Sequence, residues 1–342
     1  MEHNYRSFAK FDYSIETVRT MAARLGCGDN IWAAVCERAH IHAGPEHAGK
    51  HTYRRITSSC HRTVCEVCGD DVVKGHAREL TQKLKAIKTE CYKAGVDLRY
   101  RQGRRSCYYV ELILSPPEGE YDNYDTLDGY KKMFKEATKY AEDIGMVGGI
   151  GVMHAIRGSE KQIEAFIDGR APRPDFSPHF HFIGFMPHRH QVKSDKFYEE
   201  TCWVYKVVPK WKWQQSKRTL FEKMCYELDH ACVWSHTFTV SDNKWGERER
   251  TQHGQLTRHF GICHHSRIQK IETYTDEHCK DCGGLVYTWN RETMERSDEP
   301  NQVLVSRVFV FRPGAIEACI KKYHLRVEPP HAETLTAFTD TE

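Results

Sequence analysis

The chain has 342 residues, 39% hydrophobic and 28% charged, and a net charge of +3. That is enough apolar material for two or three cored domains and too much for a disordered tail; the charge alone argues nothing about nucleic acid. No apolar run approaches the roughly 18 residues of a membrane span and residues 1–10 lack a signal-peptide core, so a cytoplasmic chain with no membrane partner is expected.

In chain order, residues 1–70 read as polar, His-rich and irregular, ending in Cys60-x4-Cys65-x2-Cys68. Leu80, Leu84, Ile87 and Cys91 then recur at helical spacing, which predicts an amphipathic helix over about 74–94. Its Arg78, Lys83, Lys85, Lys88 and Lys93 read as a solvated basic face. A strand follows at 108–115, stopped by Pro116-Pro117, then an acidic loop, a helix at about 129–143 and a strand at 146–157. The next strand is Pro178 to Phe185. Residues 203–218 interleave aromatic and basic types, and a helix follows at about 216–235. The tail adds a second cysteine knuckle, a strand at 303–311 and a short helix to about 323. Strands and helices without regular βαβ alternation predict an α+β fold with an antiparallel sheet. Three segments are expected: 1–95, Cys/His-rich with the first helix; 96–245, catalytic; and 246–342, carrying the second knuckle.

The 14 cysteines are clumped, in a chain with no export signal, which suits structural Zn2+ better than disulfides. Cys60, Cys65 and Cys68 form the first group, with Cys36 as the expected fourth ligand and Cys27, His40 or His61 as alternatives. For Cys279-x2-Cys282-Gly-Gly, Cys263 is the expected partner, with His264 and His265 equally placed. Cys91, Cys107, Cys202 and Cys319 read as buried apolar residues.

Side chains alternate along a strand, so His179 and His181 project from one face, roughly 6–7 Å apart, with Phe180 and Phe182 behind them. Two such imidazoles can hold a metal; a surface pair is the alternative. His154 on the preceding strand converges on them if the strands pair antiparallel. Gly148, Gly149 and Gly151 leave that strand bare enough for a ligand backbone to approach. Glu222 and Tyr226 stand at i, i+4 on the later helix, offering a carboxylate and a phenol to the same site. Metal, tyrosine and carboxylate together are the parts of a phosphodiester transfer site.

In order and in sequence these motifs resemble those of the HUH endonucleases, and most closely the replication initiators of rolling-circle plasmids. Tyr109 to Pro116 is similar to their first-motif strand, Ser177-Pro178-His179-Phe180-His181-Phe182 to the second motif, and Glu222-Lys223-Met224-Cys225-Tyr226 to the third motif of the single-tyrosine group. The Cys60–Cys68 knuckle resembles their N-terminal cysteine cluster with one extra residue of spacing, Thr63 near the usual Arg, and Glu66 for the usual Pro. Cys27-Gly28 is similar to an element upstream of it. The resemblance covers roughly residues 20–235.

It implies an RRM-like antiparallel sheet and a site-specific nick of single-stranded origin DNA, with Tyr226 joined to the 5′ phosphate and Glu222 activating water for release. It also implies a divalent cation, Mn2+ or Mg2+, on His179 and His181, with His154 as third ligand and Glu111 in reserve, and host helicase and polymerase as partners. Lys206, Lys210, Trp211, Lys212 and Trp213 are the candidates for stacking bases and following phosphates, beside a reading as core tryptophans and a solvated basic face. A transposase or relaxase of the same superfamily, or a non-catalytic zinc-finger nucleic-acid-binding protein, are the alternatives.

Overall fold

Five strands, β5 (Val110–Ser115), β6 (Gly148–Ile156), β7 (Phe176–Phe185), β8 (Val204–Pro209) and β11 (Thr257–Gly261), form one sheet in the order β11-β6-β7-β5-β8. Every neighbouring pair in it is antiparallel. Before it run β1 (Trp32–Cys36), β2 (Tyr53–Ile56), helix α1 (Gly69–Lys93), β3 (Tyr100–Gln102) and β4 (Arg105–Cys107); between its strands come α2 (Leu127–Ile144), α3 (Ser194–Thr201), α4 (Lys210–Trp213), α5 (Leu220–Cys232), β9 (Thr237–Ser241) and β10 (Glu249–His253). β12 (Ile268–Asp276), β13 (Val286–Asn290), β14 (Arg296–Pro300), β15 (Gln302–Phe311) and α6 (Ala315–Tyr323) follow. This computed structural model describes residues 27–39, 51–59, 67–125, 127–156, 165, 170, 176–188, 193–213, 218–232, 237–241, 249–253, 256–293 and 295–327. Among them the protein is α+β with antiparallel sheets, as its pattern predicts.

The main sheet is organised by its alternation. Leu112, Leu114, Met153, Phe180 and Phe182 point to one face and meet α2, whose Tyr130, Met133, Phe134, Ala137, Ala141 and Ile144 form a helical apolar stripe. The Phe134 ring stands edge-on to Phe180 at 5.1 Å and to Phe182 at 6.3 Å between centroids. Each such phenylalanine, fully buried, contributes about 1.5–3 kcal/mol. Gly145 at φ +120° ends α2: its N–H bonds Glu142 O and the N–H of Met146 bonds Ala141 O, the Schellman pairing.

The glycines of β6 serve packing. A Cβ on Gly151 would fall 2.5 Å from the Phe182 ring, and one on Gly149 2.7 Å from Ile183 O. They admit a core ring and a neighbouring strand, so the expectation of a ligand backbone over them is corrected. On α1, Lys83 is buried with Nζ 3.1 Å from His259 Nδ1, rather than solvated with its basic neighbours. Cys91 and Cys319 are buried as expected, but Cys107 is only partly so and Cys202 is exposed.

The chain divides into two units. One holds Val73–Gln269 and the segment from Phe309; the other holds the described residues from Cys27 to Val72 and Lys270–Val308. This differs from the three consecutive segments expected, because β1, within the stretch read as irregular, pairs with β13. The second unit contains a four-stranded sheet, β14-β13-β1-β2, around Ala33, Ala34, Val35 and Val286. Nearly all of β1 is buried, so it lacks the apolar–polar alternation that would have marked it as a strand.

Candidate active site

On the face opposite α2, β7 presents His179 and His181 side by side, and the antiparallel register sets His154 of β6 directly across from His179. Ring centroids lie 4.3 Å apart for His154 and His181, 4.9 Å for His179 and His181, and 5.3 Å for His154 and His179. One nitrogen from each of the three lies within 4.8 Å of the others, and all three rings are buried. The structure thus brings together the three histidines picked from the sequence. Glu111, one diagonal step away on β5, joins them.

Hydrogen bonds set the tautomers. His179 Nδ1–H donates to Ser177 O at 2.8 Å, and His181 Nδ1–H to Glu111 Oε1 at 2.6 Å. Each ring therefore carries its lone pair on Nε2, the usual arrangement when a second partner orients a metal-binding histidine. Among the described residues the Nε2 of His181 is buried with no hydrogen-bond partner, a state that costs about 1–3 kcal/mol unless something electrophilic meets it. Burial, and then the His181 and His179 rings, hold the pKa of His154 well below the usual imidazole value, so it is neutral and able to ligate. Three converging imidazole nitrogens, one of them the orphaned Nε2 of His181, fit a divalent transition-type cation.

A charged cluster adjoins the triad. Lys223 Nζ lies 2.9 Å from Glu111 Oε1 and also pairs with Glu227, whose Oε2 is 3.1 Å from His181 Nδ1 and 3.2 Å from His154 Nε2. Burial works against the Glu111 carboxylate, but the His181 bond and the Lys223 charge outweigh it and lower its pKa. For Glu227 burial wins and the pKa rises, Glu111 adding to the push against His181 and Lys223. Burial also opposes the Lys223 ammonium, yet Glu227 and Glu111 together raise its pKa. Two carboxylates held apart in this way can take different protonation roles.

Lys223 and Glu227 come from α5, which packs across β6. Thr219 N–H donates to Glu222 Oε2 at 2.6 Å and Glu222 N–H to Thr219 Oγ1 at 3.2 Å, a capping box that fixes where the helix starts. Lys223, Tyr226, Glu227 and His230 then fall on one face at helical spacing. Tyr226 is half-buried, its ring 4.0 Å from that of His230 and 4.1 Å from the Arg218 guanidinium carbon, with Lys223 Nζ at 5.1 Å. The His230 ring is 5.6 Å from that of His154, so the phenol adjoins the triad through His230. Burial raises the Tyr226 pKa and Glu227 adds to it, while Lys223 and Arg218 pull it down.

Glu222 is exposed and turned to the helix start, which corrects its expected place beside Tyr226. The carboxylate that α5 brings into the site is Glu227, which the sequence reading missed. The signal for it was available in the Lys223/Glu227 pair, four residues apart on the buried helix face.

The aromatic-basic stretch splits in two. Trp213 is 4% exposed, inside the fold rather than on a base-stacking surface, because α4 turns it inward. Trp211 is half-buried and stacks on Tyr100 at 5.8 Å. Lys206 and Lys212 are exposed, and Lys210 Nζ sits 6.0 Å above the Tyr109 ring.

The cysteines regroup as well. Cys36 lies against Cys282, with Sγ atoms 3.5 Å apart, instead of joining Cys68. Cys68 packs with Cys27, while Cys60 and Cys65 lie outside the described residues. Cys279 and Cys282 group with Cys36 and His51, a set that does not include Cys263, which is wholly buried.

Among the described residues, no helix is long and apolar enough to cross a membrane. Compared with known proteins, the chain matches no family model, no curated protein and no solved structure.

Proposed function

We propose that this protein is a DNA-nicking endonuclease and strand transferase of the HUH kind, acting on single-stranded origin DNA to start rolling-circle replication. The observation that carries the reading is the His154, His179 and His181 triad, with the buried, unpartnered Nε2 of His181, beside a helix that bears a tyrosine among cations. The histidine pair lies on the middle strand of a five-stranded antiparallel sheet, which supports reading that sheet as an RRM-like core.

A divalent cation on the three imidazoles would polarise the scissile phosphate, and nitrogen ligands suit Mn2+ better than Mg2+. The chain's own residues do the rest. Tyr226 Oη attacks phosphorus as its proton passes to the adjoining His230, and the phosphorus–O3′ bond breaks with the 3′ oxygen taking up that proton, by way of water, to leave a 3′ hydroxyl and a 5′-phosphotyrosine. Arg218 and Lys223 stabilise the phenolate as it forms. Glu111 and Lys223 hold His181 in its ligating tautomer. The 3′ hydroxyl is the primer for a host polymerase, with a helicase opening the duplex, and Lys206 and Lys212 are placed to follow phosphates.

A single tyrosine after the histidines favours an initiator over a relaxase. The test is incubation with Mn2+ and single-stranded DNA from the replicon that carries the gene. The intact protein should give a covalent adduct on a denaturing gel and Tyr226→Phe none. An adduct of undiminished yield from Tyr226→Phe removes the nucleophile assignment.

A further inference from the structure

We infer that Cys36, His51, Cys279 and Cys282 form a closed structural Zn2+ site that clasps the two distant segments of the discontinuous unit. One donor atom from each lies within 4.8 Å of all the others. Two thiolates at about 2.3 Å from one tetrahedral zinc stand about 3.8 Å apart, whereas a disulfide brings sulfurs to about 2.05 Å. The Cys36 and Cys282 sulfurs, 3.5 Å apart, are spaced as co-ligands.

The donors are also oriented. Arg38 N–H points to Cys36 Sγ at 3.5 Å, Gly284 N–H to Cys282 Sγ at 3.5 Å and Thr52 N–H to Cys279 Sγ at 3.2 Å. Each sulfur thus receives a backbone N–H, the outer contact that holds thiolate ligands. Gly283 at φ +68° allows the knuckle to turn, and its N–H closes on Cys279 O at 2.9 Å. His51 supplies an independent sign: among the described residues its Nδ1 is buried with no hydrogen-bond partner, next to three sulfurs. Three sulfurs and one nitrogen complete a tetrahedron with no position left for substrate, which marks the metal as structural. The site bridges the end of β1, the residue before Thr52 and β2, and the knuckle before β13, segments that are otherwise joined by strand pairing.

The full-length protein tests this through metal content and cobalt spectra, which do not depend on DNA cleavage. After dialysis against a mild chelator, Cys282→Ser and His51→Ala should each hold about one zinc fewer than the parent. Co2+ in the parent should give a thiolate charge-transfer spectrum that His51→Cys shifts toward that of four sulfurs. The triad, which has no thiolate, cannot produce this band. Zinc content and spectra unchanged across these variants would overturn the assignment. If the variants do not accumulate, alkylation mapping of the parent decides instead. Stripping zinc should expose Cys36, Cys279 and Cys282 to alkylation together, and labelling rates that ignore the metal would refute the site.

Discussion

His181 donates its Nδ1–H to Glu111 across 2.6 Å, and that contact, with Glu227 beside the same nitrogen, leaves Nε2 as the ring's ligating atom. Replacing Glu111 with Ala lets the ring rotate and change tautomer. Metal affinity at the triad should fall about 10- to 100-fold, as is usual when the partner of a ligating histidine is lost. Calorimetric Mn2+ titration measures it. Unchanged affinity would mean that His181 is not a ligand.

Thr219 and Glu222 start α5, and their effect should appear in stability first. Thr219→Ala should cost about 1 kcal/mol in urea unfolding. Glu222→Ala should lower stability in the same direction, while the rate of the first nick stays near that of the parent. A nicking defect as severe as that of Tyr226→Phe, with stability intact, would restore Glu222 to the chemistry.

Lys223 lies between Glu111 and Glu227 with little solvent to replace it. Lys223→Met leaves two buried carboxylates facing each other and should destabilise by about 3–5 kcal/mol. The loss should be smaller in mild acid, where Glu227, its pKa already raised by burial, takes a proton and ends the repulsion. Urea titrations at two pH values give both numbers.

Gly151→Ala places a methyl group 2.5 Å from the Phe182 ring, which is wedged against Phe134. Overpacking of this kind costs about 1–3 kcal/mol. Because Phe182 follows His181 on β7, displacement of the strand should weaken metal binding as well as lower Tm.

Asp97 accepts hydrogen bonds from Arg99 at 2.8 Å and from Arg101. Burial opposes its charge, but these partners bring its pKa from 3.8 down to about 2. A carboxylate depressed in the folded state adds stability that is complete above the unfolded value and is lost as pH falls through the folded one. The parent should therefore lose this contribution between about pH 4 and pH 2, and Asp97→Asn should flatten that part of the curve.

The triad was legible because its signal is local. A period of two puts His179 and His181 on one face whatever the rest of the chain does, and His154 sits in a strand recognisable from its own composition. The stripe on α2 was readable for the same reason. Cys36 was not, since its partner Cys282 lies 246 residues away where no spacing rule reaches, and Glu227 showed only its i, i+4 pairing with Lys223, its contact with His181 joining a strand to a later helix. Glu222 misled because position i, i+4 from a tyrosine and position N3 of a capping box are the same residue. Only the start of the helix tells them apart. Trp213 misled because an aromatic among lysines reads alike whether its helix turns it inward or out.

The pairing of β1 with β13 has a cost in time. A ribosome makes Cys36 about 250 residues before Val286, its partner across the sheet, an interval on the order of ten to fifty seconds. Throughout that interval an apolar strand has an open edge and nothing to close it. Newborn chains should therefore depend on a holding chaperone until the tail emerges, and a message truncated before β13 should yield insoluble protein even though every residue of the histidine triad is already present.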